Sequence, residues 1–312
     1  MLINTVLGPM DTSELGTTLM HEHVAVYSPF MHQAFGDKWL ERDKLIEMAS
    51  EQLKLAKAQY GIDTVVDGTP LNLGRDIRML QEVSRRSGVP IIASSGLYFT
   101  EEPFLSNKPV EQLAELFIGE CRDGIEGTSA LPGILKCATD ALGFTSANTT
   151  LLRMTALVHK ATGLPIFAHS SAHHRTGIGQ LRILEEHGVD PGRVIIGHCA
   201  DTTDLDYLET LLNRGCYIGL DRYRFLLQRV DMITELIRRG WINQLILSHD
   251  YCAFLDFGQN SWTHTKEVYA ARAESGYTYI HRLVVPALLQ QGVTEQQLRH
   301  IFVDNPRRFW EG

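Results

Sequence analysis

Two histidines one residue apart, His21 and His23 in the stretch TTLMHEHV, are the first residues here whose type and spacing could do chemistry. They close an apolar, β-branched run. A strand alternates its side chains, so residues i and i+2 face one way and two imidazoles would aim at one point. Imidazole is largely neutral near pH 7, with a nitrogen lone pair free for a metal ion. A lone His-x-His also fits a packed or surface pair. Its meaning rests on what recurs downstream.

What recurs is a polar group at the end of one apolar run after another: Lys136, His169 in IFAHSS, His198 in IIGHCAD, Asp221 with Arg222, and Asp250. Each has a plain alternative. His169 and His198 could be core histidines hydrogen-bonded to backbone. His249 precedes Asp250 and alternates away from it, so one of the two faces outward; Asp250 is expected inward, where a carboxylate complements several histidines. A buried lysine is costly unless paired or chemically altered. Lys136 could form a salt bridge with an aspartate. Modified by CO2, it would become an anion whose two oxygens can bridge two cations.

These groups need strands to aim them. Short apolar runs stand at 17–23, 63–68, 90–97, 133–138, 165–169, 194–199, 216–221 and 245–249. They lack polar alternation, which suits parallel strands buried on both faces. Amphipathic helix patterns lie between them, at 42–59, 75–87, 110–123, 149–162, 177–187, 203–214 and 229–239. Several end in Gly, as in RRSGVP and EEHGVD, a helix stop signal. Eight βα units in 312 residues predict an α/β TIM (β/α)8 barrel as one domain over 1–312. A doubly wound sheet fits less well, because His-Glu-His stands where its Gly-rich phosphate turn would be. In a barrel the catalytic groups sit at the C-terminal strand ends, where these residues fall. The stretch 251–276 is expected to be a loop over that face.

Composition narrows the function classes. Hydrophobic residues make up 44% and charged residues 21%, as in an ordinary globular protein. The net charge of -8 argues against non-specific binding to nucleic acid or anionic membranes. No run approaches the ~18 apolar residues of a membrane span. The N-terminal stretch lacks the basic start of a signal peptide. Five scattered cysteines without a CxxC predict a reduced, cytoplasmic protein.

Taken in order, His21-x-His23, Lys136, His169, His198 and Asp250 at strands one, four, five, six and eight resemble the phosphotriesterase family of the amidohydrolase superfamily. The resemblance covers essentially the whole chain. It includes the opening LGPMDTSELGTTLMHEH and the closing FVDNPRRFW, which is similar to the family's NPxRxF ending. It implies a binuclear metal centre. His21, His23 and Asp250 would hold the more buried ion and His169 and His198 the more exposed one. Carboxylated Lys136 and a hydroxide would bridge both. Tyr98 in SSGLYFT, Arg222 in GLDRYRF and the motif LSHDYC are similar to the phosphotriesterase-like lactonases, where the tyrosine and arginine border the hydroxide. Their plain alternatives are a barrel-rim aromatic and an ion pair with Asp221.

The implied activity is opening of N-acyl homoserine lactones or aliphatic γ- and δ-lactones, with phosphotriester hydrolysis as a side activity. Asp250 would act as proton shuttle. Alternatives are a dedicated phosphotriesterase, another ester or amide hydrolase, and a non-catalytic metal-binding barrel. Two divalent ions are expected, zinc first, although iron, cobalt or manganese suit the same donors. The resemblance also implies a homodimer. Phe254, Leu255, Phe257, Trp262 and Tyr269 could line an acyl channel, or serve loop packing or a dimer contact; Phe30, Met31 and Phe35 pose the same question.

Overall fold

The computed structural model of the chain describes residues 1–222, 226–256 and 276–312. A hairpin of β1 (Leu2–Thr5) and β2 (Gly8–Asp11) precedes the barrel. The barrel strands are β3 (Thr17–Val26), β4 (Ile62–Asp67), β5 (Ile91–Gly96), β6 (Ile134–Ala138), β7 (Ile166–His169), β8 (Val194–Ile196), β9 (Tyr217–Leu220) and β10 (Leu245–Leu247). A further strand, β11 (Cys252–Leu255), follows. Every ladder from β10 round to β3, and from β3 to β11, is parallel. The ends of β3 and β10 meet at a seam. There the His21 N–H donates to Ser248 Oγ at 3.0 Å and the Asp250 N–H to the His21 carbonyl at 3.0 Å. This is the TIM barrel expected from the sequence.

Two apolar layers explain the two-sided burial of the strands. Inside, each barrel strand contributes one side chain to a single cluster: Met20, Val66, Ile92, Ile134, Phe167, Ile195, Tyr217 and Ile246. Ile3, Leu15, Phe309 and Trp310 complete that cluster. The closing NPRRFW motif is thus structural: Trp310 donates to the Gly133 carbonyl, and Asn305 to the carbonyls of Ile242 and Leu245. Outside, alternate residues such as Val65, Leu135, Ile196 and Ile218 pack against the helices.

Helix Arg42–Tyr60 buries Leu45, Ile46, Ala49, Leu53 and Ala56, spaced to fall on one stripe. It ends at Gly61, whose φ of 64° a side chain would resist. Helix Ile77–Ser87 begins at Asp76, whose carboxylate accepts from the Met79 N–H at 2.8 Å, a cap worth about 1 kcal/mol. Among the described residues no helix is long and apolar enough to cross a membrane.

The expectation of a loop throughout 251–276 is corrected at its start. Residues 252–255 are strand, because β3 runs on past His23 to Val26 and pairs Cys252 with His23 and Phe254 with Ala25. Phe254 therefore lies in the core between strands and helices rather than in a channel wall. Phe257, Trp262 and Tyr269 lie outside the described residues. Phe30 and Phe35 are exposed on helix Pro29–Phe35.

Candidate metal centre

Simple alternation cannot put Met20 in the barrel core and also turn His21 and His23 inward. A break in the β3–β4 register between Leu19 and Glu22 permits it. Such a bulge re-aims side chains locally and is common beside functional sites. Beyond it, His21 and His23 face in and Glu22 faces out.

Both histidines are buried, and both Nδ1 atoms are engaged. His21 Nδ1 lies 3.0 Å from Asp221 Oδ2, and His23 Nδ1 lies 2.8 Å from Thr69 Oγ1. Each Nε2 is left facing Asp250 Oδ1, at 3.5 Å from His21 and 3.1 Å from His23. Two donors about 2.1 Å from a tetrahedral ion stand roughly 3.4 Å apart, so this triad has the spacing of ligands on one ion.

A second pair of nitrogens converges nearby. His198 Nδ1 lies 2.8 Å from Asp221 Oδ1, and His169 Nε2 lies 2.8 Å from Asp140 Oδ2. The remaining nitrogens, His198 Nε2 and His169 Nδ1, are 2.7 Å apart. A ring nitrogen held by a carboxylate fixes the tautomer and leaves the other nitrogen free to ligate. By that rule His21, His198 and Asp221 are not themselves a ligand set, although their atoms cluster closely. Asp221 holds both rings from behind.

Lys136 is buried between the two groups. Its Nζ sits 2.8 Å from His21 Nε2 and 4.3 Å over the Phe167 ring. Burial lowers its ammonium to about 8. Room for it comes from Gly68, where a Cβ would stand 2.7 Å from His21 Cδ2 and 3.3 Å from Lys136 Nζ. Burial also lowers His169 to about 4 and holds His21 and His198 well below the usual histidine range. All three rings are therefore neutral at pH 7, as metal ligands must be. Burial pulls Asp250 upward, but the Arg222 guanidinium and the hydrogen bond from His23 outweigh it and hold the carboxyl well below the usual range. Burial and the Asp250 charge raise Asp221, a pull its two imidazole partners must offset if it accepts from both. The donors present, imidazole nitrogens and a carboxylate, suit a borderline divalent ion such as zinc.

Arg222 and Tyr98 flank this centre. Arg222 donates from Nε to Asp250 Oδ2 at 2.8 Å and from Nη1 to Asp201 Oδ2 at 3.2 Å. Its Nη2 stands 3.0 Å from His198 Nε2. The alternative of an Arg222–Asp221 surface pair is corrected, because Asp221 is wholly buried on the two histidines. Tyr98 stands edge-on to His169 with ring centroids 4.9 Å apart. His249 faces outward onto Glu22, and Asp250 faces in.

Five non-glycine residues among those described have positive φ, and three of them are His198, Arg222 and Asp250, at 59°, 61° and 55°. Held strain of this kind gathers at functional sites. Sequence reasoning did not find the supporting roles of Asp221, Asp140 and Thr69. A signal existed for Asp221, a carboxylate at the end of a barrel strand. For Asp140 and Thr69 the signal is spatial, since Asp140 is 29 residues from His169 and Thr69 is 46 from His23.

Known proteins share this architecture. Residues 1–310 match the sequence profile of the Phosphotriesterase family. A phosphotriesterase homology protein from Mycobacterium tuberculosis is 39% identical across 99% of this chain and 97% of its own. An aryldialkylphosphatase from Saccharolobus solfataricus is 36% identical over 96% of each. An N-acetyltaurine hydrolase from Rattus norvegicus is 26% identical over 98% of this chain and 97% of its own. The solved structure of the phosphotriesterase from Mycobacterium tuberculosis aligns with a TM-score of 0.92 at 39% identity, covering 100% of this chain and 98% of that one.

Proposed function

The chain belongs to the phosphotriesterase family of hydrolases, and on that premise we propose that it opens lactones at a binuclear metal centre, with slower phosphotriester hydrolysis. The observation carrying the lactone reading is the placement of Tyr98 and Arg222 beside His169, His198 and Asp250. In this reading His21, His23 and Asp250 would hold one ion and His169 and His198 the other, and Lys136, once carboxylated, would supply an anionic ligand between the two groups. Bound there, divalent ions would lower the pKa of a shared water and polarise the substrate carbonyl.

The protein's own groups do the rest. Burial raises Tyr98 above the ordinary tyrosine value, so its hydroxyl stays protonated and can donate to the oxygen where negative charge grows. Arg222 remains charged and adds a second positive partner. Asp250 takes the proton of the attacking water and delivers it to the ring oxygen as the C–O bond breaks. The product is a hydroxy acid. Asp201 and Arg222 keep the Asp250 carboxylate oriented through the handover.

A second reading, a dedicated phosphotriesterase, is favoured by the 36% identity to a protein named aryldialkylphosphatase. Amide hydrolysis, named for the 26% identical relative, is a third. Values of kcat/KM for metal-loaded protein would decide. The panel is acyl homoserine lactones, aliphatic lactones of matched length, one activated phosphotriester and one N-acyl amide. Lactone values higher by orders of magnitude support the proposal. A preference for the phosphotriester or the amide overturns it. A homodimer belongs to the same reading and is checked by sedimentation.

A further inference from the structure

Glu22 lies between the two histidines of the His-x-His pair and is wholly buried with its carboxylate turned away from them. Burying a carboxylate is costly unless donors surround it. Its donors come from one short segment. Glu22 Oε1 accepts from the His249 N–H at 2.8 Å and from His249 Nδ1 at 2.7 Å. Glu22 Oε2 accepts from the Tyr251 N–H at 3.0 Å. The carboxylate thus grips the residues on both sides of Asp250, whose φ of 55° is unfavourable for a side chain. On its far side His249 Nε2 accepts from the Ile280 N–H at 3.0 Å. Tyr277 donates its hydroxyl to the His23 carbonyl at 3.0 Å and stands edge-on to Tyr251.

We infer that Glu22 and His249 are a positioning pair, holding Asp250 in its left-handed conformation and tying it to the 277–280 segment. This rests on Asp250 being a metal ligand, as proposed above. The bonding fixes the His249 ring. Nε2 accepts, so Nδ1 carries the proton and donates to Glu22. The two halves of that ring can be tested separately. Asparagine keeps a donor near the Nδ1 position, and glutamine keeps an acceptor near the Nε2 position.

The experiment compares His249→Ala, His249→Asn, His249→Gln and Glu22→Gln by zinc affinity under chelator competition. Thermal midpoint and the separate kcat and KM for a short lactone are read on the same samples. For His249→Ala and Glu22→Gln, zinc affinity should fall about 10- to 100-fold, the usual effect of removing a partner behind a metal ligand. The loss should appear in kcat rather than KM. His249→Asn should recover most of the affinity and His249→Gln little. A lower midpoint with unchanged zinc affinity and kcat would reduce the pair to a structural role and overturn the inference. So would His249→Gln outperforming His249→Asn, a comparison that stands even if the alanine variant does not fold. The zinc readout needs no substrate. A wild type that binds zinc but leaves lactones untouched would sink the lactonase reading alone, whereas failure of wild type to bind zinc would sink both.

Discussion

Asp221→Asn should cripple metal binding without touching a proposed ligand. Asp221 is wholly buried and meets His21 Nδ1 at 3.0 Å and His198 Nδ1 at 2.8 Å. A carboxylate can accept from both rings. An amide cannot, because its oxygen serves one ring and its NH2 faces the other. The second ring must then accept at Nδ1 and carry its proton on Nε2, which removes the lone pair a metal needs. One charge-assisted hydrogen bond is worth about 1.5–3 kcal/mol. At roughly 1.4 kcal/mol per decade, zinc affinity should fall about 10- to 100-fold. The assay is zinc competition against a chelator of known affinity. A circular-dichroism spectrum should show that the fold persists, and kcat/KM should fall in parallel. If Asp221→Asn binds zinc with wild-type affinity, the assignment of Nε2 as the ligating atom on both rings is wrong.

Three further outcomes follow from the same geometry. Gly68→Ala places a Cβ 2.7 Å from His21 Cδ2, so an overpacking cost of about 1–3 kcal/mol should appear as a lower melting temperature with reduced metal content; a wild-type melt with full metal would count against the crowding. Tyr98→Phe should depress lactone turnover more than phosphotriester turnover, and equal effects would undercut the role given to the hydroxyl. In metal-free protein, burial holds His169 near 4 against 6.5 when unfolded, so between those values the unfolded chain binds a proton the native state refuses. Stability from this group is full above pH 6.5 and falls on acidification toward pH 4, by up to roughly 3 kcal/mol. Melting temperatures measured across that range should drop, and a flat profile would refute the burial argument.

Much of this architecture was legible in the sequence because parallel barrel strands announce themselves as unbroken apolar runs. All eight lie where those runs were read, and helix 110–123 falls on its observed limits. What escaped was whatever depends on a distant partner. The hairpin of β1 and β2 is short and flanks the barrel. β11 exists because β3 extends beyond the run that suggested it. The bulge at Leu19–Glu22 has no local signature, and neither do the positive φ angles at His198, Arg222 and Asp250. Glu22 illustrates the limit well. Its neighbours in sequence look like the story, yet its own bonds lie 227 and 229 residues away.

The seam between β3 and β10 has a consequence for how the molecule is made. His23 and Asp250, separated by 227 residues, face each other across the junction of the first and last barrel strands. A chain emerging from the ribosome presents His21 and His23 early but cannot complete their triad until the eighth strand arrives. An ion held there would act as a latch on a finished cylinder and would have little purchase on a partial one. At a hundredfold excess over its dissociation constant, such a latch adds about 2.7 kcal/mol to the closed form. Metal supply would then govern how long the completed barrel resists opening and proteolysis, quite apart from turnover.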